Sequence, residues 1–146
     1  MPTALDHDLT ELASSLDSLL SWVRRHAPSG GYSMTARATM VRLQLEGPAR
    51  ISDLARAEGV TQPAMTGLVN RLESEALVRR EPDPSDARAA LVSITEAGRE
   101  LIDQRRAERS RLLAAQIEHL DQADRQALLA AVPALRRLAA LKVHQK

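Results

Sequence analysis

ISDLARAEGVTQPAMTGLVNRLESE, residues 51–75, holds two helical patterns separated by a single glycine. Ile51 to Glu58 reads as a short helix, with Ser52 as its N-cap and Gly59 as its C-terminal stop. Val60-Thr61-Gln62-Pro63 opens a second helix. Thr61 can cap it, and Pro63 in the first turn gives up only an amide that has no helical partner there. Met65, Leu68, Val69 and Leu72 form its apolar face. A short helix, a turn at glycine and a helix of about four turns is the spacing with which one helix braces on a nucleic-acid backbone while the next enters a major groove.

Downstream, the helical period gives way to Leu77-Val78-Arg79-Arg80-Glu81, then Pro82-Asp83-Pro84-Ser85-Asp86, then Ala89-Ala90-Leu91-Val92-Ser93-Ile94. Two short strands around a turn of Pro, Asp and Ser predict a β-hairpin with a long polar tip. Upstream, a helix is expected from about Thr35, carrying Ala38, Met40, Val41, Leu43 and Leu45 and stopping at Gly47-Pro48. Helix, helix, helix, hairpin is the order of a winged helix-turn-helix.

Helices flank this lobe on both sides. Leu5, Leu9, Leu12, Leu16, Leu19, Leu20 and Val23 recur at helical spacing up to about His26, and Ala27-Pro28-Ser29-Gly30-Gly31 then breaks the pattern. Thr95 caps a helix that runs through Leu101, Ile102, Leu112, Leu113 and Ile117. Asp121 caps a last one bearing Leu128, Leu129, Val132, Leu135, Leu138 and Leu141, with Pro133 set to bend it. The expected fold class is mainly α with a small β-hairpin. Its divisions are an N-terminal helix and linker over 1–32, the winged lobe over 33–98 and C-terminal helices over 99–146.

Composition narrows the function. The 146 residues include no cysteine, which removes disulfides, thiol nucleophiles and thiolate metal sites together. Lys+Arg is 20 against 19 Asp+Glu, and 18 of the 20 cations are arginine, so any nucleic-acid contact depends on placed arginines rather than on bulk charge. Residues 20 to 50 hold Arg24, Arg25, Arg37, Arg42 and Arg50 against Glu46 alone, whereas residues 1 to 19 hold four acids and no Lys or Arg. No apolar stretch is long enough to span a membrane and no basic leader precedes an apolar run, so a cytoplasmic location is expected.

The chain resembles the MarR (multiple antibiotic resistance regulator) family. The resemblance is carried by Ile51-Ser52-Asp53-Leu54-Ala55, Val60-Thr61-Gln62-Pro63-Ala64-Met65-Thr66, Leu68-Val69-Asn70-Arg71-Leu72-Glu73, Leu77-Val78-Arg79-Arg80, Asp83-Pro84-Ser85-Asp86-Ala87-Arg88 and Ser93-Ile94-Thr95-Glu96-Ala97-Gly98. It implies a homodimer whose terminal helices interlock as dimerisation helices. The sequence agrees independently, because two long leucine-rich helices outside a compact lobe gain little unless a partner covers them; the alternative is that they fold back on their own domain.

By position, the resemblance implies DNA contacts from Thr61, Gln62, Pro63, Ala64, Thr66, Gly67, Asn70 and Arg71. Gln62 and Asn70 have the amide chemistry to read adenine, while Thr61, Thr66 and Arg71 suit phosphates. In the hairpin, Asp86 and Arg88 match an aspartate–arginine pair that holds the wing tip. Arg79, Arg80 and Arg88 are its candidate DNA contacts. Ala87 stands where many members carry a groove-inserting arginine, and Gly67 where they carry a larger polar residue, which points to weaker or more degenerate reading.

The implied function is a dimeric, sequence-specific regulator of transcription. It represses from a pseudo-palindromic double-stranded operator and is released by a small aromatic or anionic effector. Trp22, Arg25, His26, Tyr32 and Met40 are the candidate effector residues, since an aromatic wall with a cation suits an aromatic carboxylate. The alternative is a winged-helix protein that binds DNA without sequence preference or acts through protein contacts. No enzyme, metal or cofactor is expected: His7, His26, His119 and His144 lie far apart, and no nucleophile elbow, phosphate loop or HExxH accompanies them.

Overall fold

The computed structural model describes residues 4–27 and 30–141. Pro28 and Ser29 of the expected break, and His144, lie outside them, as do the side chains of Leu5 and Ala87. Along the described residues the order is α1 (Ala4–His26), α2 (Met34–Glu46), β1 (Ala49–Arg50), α3 (Ile51–Glu58), α4 (Gln62–Ser74), β2 (Val78–Asp83), β3 (Asp86–Ile94), α5 (Glu96–Ile117) and α6 (Gln122–Ala140). Contacts divide the chain into two compact units, Arg24–Glu108 and the pair of segments Met1–Val23 and Arg109–Lys146.

Local chemistry sets most boundaries in Arg24–Glu108. Ser33 accepts from the Ala36 amide at the start of α2 (3.1 Å), and Thr61 accepts from the Ala64 amide at the start of α4 (3.3 Å). Gly59, left-handed at φ 66°, ends α3. Two expectations need correction. Ser52 is not the N-cap of α3; Arg50 holds that position, and its guanidinium offers no acceptor to the free amides. Arg50 is extended because it pairs with Leu91, so the chain passes from strand straight into helix with no side-chain cap bond.

The sheet has three strands rather than two, in the order β1-β3-β2, all antiparallel. A two-residue strand leaves no period to read in sequence. The hairpin register is regular from Val78 opposite Ile94 to Pro82 opposite Ala90 and then shifts, so that Asp83 stands opposite Asp86 and the segment 83–89 forms the long polar tip, turned at Pro84 and Ser85.

The core of this unit is aliphatic. Leu54 from α3 and Met65, Val69 and Leu72 from α4 are at most 1 % exposed, packed with Met40 and Leu43 of α2 and Val92 of β3. Burying each such side chain contributes roughly 1.5–3 kcal/mol. Thr39, also buried, points its hydroxyl at the Met65 sulfur at 3.9 Å.

After α4 the chain reverses through Ala76, at φ 58°, a left-handed conformation that costs a non-glycine residue about 1 kcal/mol. Neighbouring hydrogen bonds hold it there. Leu77 N–H donates to Leu72 O (2.9 Å), the Thr95 hydroxyl donates to Ala76 O (2.7 Å), and Thr95 N–H donates to Leu77 O (3.0 Å). Thr95 also caps α5 by accepting from the Gly98 amide.

In the other unit, Asp121 caps α6 through the Asp124 amide at 2.8 Å, and the helix continues through Pro133. No described residue of α6 is buried. Leu128, Leu135 and Leu138 share one face at 43 %, 40 % and 54 % exposure, and Leu9, Leu12, Leu19 and Leu20 of α1 are exposed as well. Helices with this much bare leucine have no core of their own to join.

Candidate nucleic-acid interface

Pro63 in the first turn and the Thr61 cap aim the N-terminus of α4 at solvent. Thr61, Gln62, Pro63, Ala64, Gly67, Asn70 and Arg71 are all exposed, while Met65, Val69 and Leu72 face inward. The 3.6-residue period therefore presents a polar strip opposite the core. Thr66 is half-buried, and its hydroxyl donates back to the Gln62 carbonyl at 2.9 Å. At Gly67 a Cβ would meet nothing within 4 Å, so the backbone lies bare in the middle of the strip.

An open groove of about 300 Å³ runs beside this strip, lined by Arg50, Ile51, Ser52, Gln62, Ala89 and Ala90. It brings the starts of α3 and α4 together with the wing strand β3.

The wing tip is tied from outside the hairpin. Arg50 forks onto Asp83 Oδ2 with Nε at 2.7 Å and Nη2 at 2.5 Å, while Asp83 Oδ1 accepts from the Ser85 hydroxyl (2.7 Å) and amide (2.8 Å). The family resemblance implies tip-holding by Asp86 and Arg88. In the structure Asp86 instead accepts from the backbone amide of Arg88 (3.0 Å), and the charged pair is Arg50–Asp83. The reason is β1, which carries Arg50 alongside β3.

Ser85 and Arg50 together hold the Asp83 carboxyl down at about 2, the Ser85 hydroxyl being the largest contributor. The stabilisation from the ionised carboxylate is complete above the unfolded carboxylate range, near pH 4, and is lost as pH falls toward 2. In urea titrations across a pH series, the stability gap between wild type and Asp83→Asn is expected to shrink to nothing over that window. A gap that stays constant with pH would show that the carboxylate charge does not hold the tip.

The arginines divide by partner. Arg79 pairs with Glu81 at 2.7 Å and its Nε donates to Ser93 Oγ at 3.3 Å. Arg80 Nη1 pairs with Glu73 Oε2, Nη2 donates to Asn70 Oδ1 at 2.6 Å, and the Arg80 amide donates to Glu73 Oε1 at 3.2 Å. Arg71 turns toward the segment before α2: it pairs with Glu75 (3.1 Å), donates to Gly31 O (3.4 Å) and lies 5.9 Å over the Tyr32 ring. Arg88 is exposed, and among the described residues its guanidinium has no partner.

The candidate effector residues are spread over both units. Trp22 belongs to Met1–Val23 with Arg109–Lys146; Arg25, His26, Tyr32 and Met40 belong to Arg24–Glu108. Met40 is 1 % exposed inside the core, and Tyr32 packs against that core while its hydroxyl donates to Glu75 Oε2 at 2.5 Å. That bond raises the Tyr32 hydroxyl above its ordinary pKa and lowers the Glu75 carboxyl. The cation on the Tyr32 face is Arg71, from α4.

Sequence reasoning did not single out Arg50, Glu73, Glu75 or Ser85. The Asp-Pro-Ser spacing at 83–85 carries a turn signal that could have found Ser85. Glu75 stands four residues after Arg71, the spacing of a helical ion pair, and nothing local marks Arg50 or Glu73.

The family model described as MarR family matches residues 33–90. An uncharacterized HTH-type transcriptional regulator, Mb0904 of Mycobacterium bovis, is 31 % identical over 122 residues, covering 84 % of this chain and 85 % of the relative. The HTH-type transcriptional repressor NicR of Pseudomonas putida is 38 % identical over 65 residues, 44 % of this chain and 41 % of that protein. Among solved structures, the transcriptional regulator Tm0710 of Thermotoga maritima superposes with a TM-score of 0.77 at 26 % identity, over 88 % of this chain and 94 % of that one.

Proposed function

The chain belongs to the MarR family of transcription regulators, and from that premise we propose that it acts as a homodimer in the cytoplasm, binding a pseudo-palindromic duplex sequence-specifically and repressing transcription. The carrying observation is the exposed strip of α4, Thr61, Gln62, Pro63, Ala64, Gly67 and Asn70, running beside a wing whose Arg88 has no protein partner among the described residues. A helix in the major groove with an arginine alongside combines base reading with phosphate or minor-groove attraction. Two such helices in a dimer meet half-sites about one helical turn apart. Similarity over part of the chain to the transcriptional repressor NicR supports repression as the sign of regulation.

Within this reading Thr61 and Thr66 sit near the backbone, and Gln62 offers both a donor and an acceptor to a base edge. Arg80 joins the wing to α4 through Glu73 and Asn70, whereas Arg71 ties the end of α4 to the segment before α2 and Arg79 ties the two strands of the hairpin, so each serves chiefly as a tether. Asp86 shapes the turn that presents Arg88. Relief by a small aromatic or anionic effector belongs to the same proposal, with quenching of Trp22 fluorescence as its readout.

Selection from a pool of random duplexes, followed by anisotropy titration at low and near-physiological salt, tests the reading. Enrichment of an inverted repeat whose binding survives the higher salt is the expected result. Equal, steeply salt-dependent binding to all duplexes would instead favour the alternative without sequence preference, which the back-bonded Thr66 hydroxyl and the bare Gly67 make concrete. On the enriched duplex, Arg88→Ala is expected to weaken binding and to reduce the slope of log K against log salt by about one unit per wing. An unchanged slope would remove Arg88 from the interface.

A further inference from the structure

We infer that Arg80 is a specificity-determining residue that works through Asn70: it turns the Asn70 amide so that only its NH2 group faces the DNA, which selects guanine or thymine rather than adenine. The inference rests on the reading of α4 as the groove-facing helix.

The orientation follows from donor chemistry. A guanidinium only donates, so the Asn70 atom 2.6 Å from Arg80 Nη2 has to be the amide oxygen. The nitrogen, with two donors and no acceptor, is left to point away from Arg80. Adenine is read by an amide that accepts from N6 and donates to N7 at the same time, with oxygen and nitrogen side by side on one base edge. An amide whose oxygen is drawn to the wing presents no such edge. Its donors match the acceptors of guanine, O6 and N7, or O4 of thymine.

Arg80 is itself firmly held. Its side chain is 28 % exposed, its Nη1 is on Glu73, and its backbone amide donates to that same carboxylate. Strand pairing with Val92 fixes its Cα. The Asn70 amide therefore meets a template built by β2 and Glu73, one turn further along α4, rather than a mobile surface cation.

The test compares full-length wild type with Asn70→Ala, Asn70→Asp and Arg80→Lys in the random-duplex selection. Wild type is expected to show one guanine- or thymine-preferring position per half-site that depends on residue 70. Asn70→Ala should cost about tenfold in preference there. Asn70→Asp keeps an oxygen but has no donor, and should lose the preference as completely as alanine. Arg80→Lys keeps an ammonium for Glu73 but lacks the second arm of the fork. Freed of that arm, Asn70 should shift the same position toward adenine by about tenfold, leave the other positions unchanged and leave the urea midpoint near that of wild type.

An adenine at the residue-70 position in wild type overturns the inference, as does a position indifferent to Arg80→Lys. Should Arg80→Lys fail to fold, the aspartate variant still decides: partial retention of the preference shows that the oxygen was reading the base. Failure of wild type to enrich any duplex would sink the broader reading of α4. Enrichment without a donor-type preference at the residue-70 position would sink only this inference.

Discussion

Gly98→Ala is expected to destabilise the protein by about 3 kcal/mol, although alanine is the best helix former and Gly98 lies in the first turn of α5. A Cβ at Gly98 would run into the carbonyl oxygen of Leu77 and the Cγ1 atom of Ile94. The Leu77 oxygen cannot swing aside, because it accepts from the Thr95 amide at 3.0 Å and belongs to the reversal that ends α4. To admit one methyl group, α5 has to lift from the joint between α4 and β2, exposing Leu77 and Ile94, which are 7 % and 3 % exposed.

Gly67→Ala supplies the control of opposite sign. Nothing lies within 4 Å of a Cβ there, so the substitution should return its helix-propensity gain of about 1 kcal/mol. Urea unfolding of the two variants at matched m-value measures both. Equal midpoints for Gly98→Ala and wild type would mean that the joint is looser than the close approach implies. Against a total stability on the order of 5–15 kcal/mol, a loss of 3 is large.

The second large effect concerns the leucine face of α6. Leu135→Asp combined with Leu138→Asp is expected to yield a monomer by light scattering and to lower operator affinity by a factor on the order of 10²–10⁴, since two linked half-site contacts become one. Both leucines are well exposed in the isolated chain, at 40 % and 54 %, so the aspartates cost the single chain little. Placed in an apolar dimer interface the same carboxylates are uncompensated buried charges, and the dimer is penalised. Circular dichroism of the variant should stay close to wild type. A double variant that remains dimeric removes α6 from the interface. A monomer that binds the operator as tightly as wild type removes dimerisation from the mechanism.

The two effects differ in what made them visible. The leucine face was legible along the chain, because helical periodicity needs only neighbours three and four residues apart. The close approach at Gly98 was not: Thr95-Glu96-Ala97-Gly98 reads as a helix start, and the neighbour that forbids a side chain at residue 98 comes from Leu77, on a different element. The wing shows the same division. Alternation and turn residues predicted the hairpin, but its third strand, two residues long, carries no period, and with it went the partner of Asp83.

By itself, then, the sequence determined the order of helices and hairpin, the caps at Thr61, Thr95 and Asp121, the exposed strip of α4 and the family. The caps and the strip depend on residues within about a turn of each other, whose geometry the backbone dictates, and the order and family follow from such local signals read in sequence. Tertiary structure alone decided which distant partners several polar side chains take. Arg50 finds Asp83 33 residues away, Tyr32 finds Glu75 43 residues away, and Arg80 finds Asn70 ten residues back across the joint. Long, flexible ionic side chains can reach many partners, and the choice among them is made only when packed helices and paired strands bring one carboxylate or amide within about 3 Å.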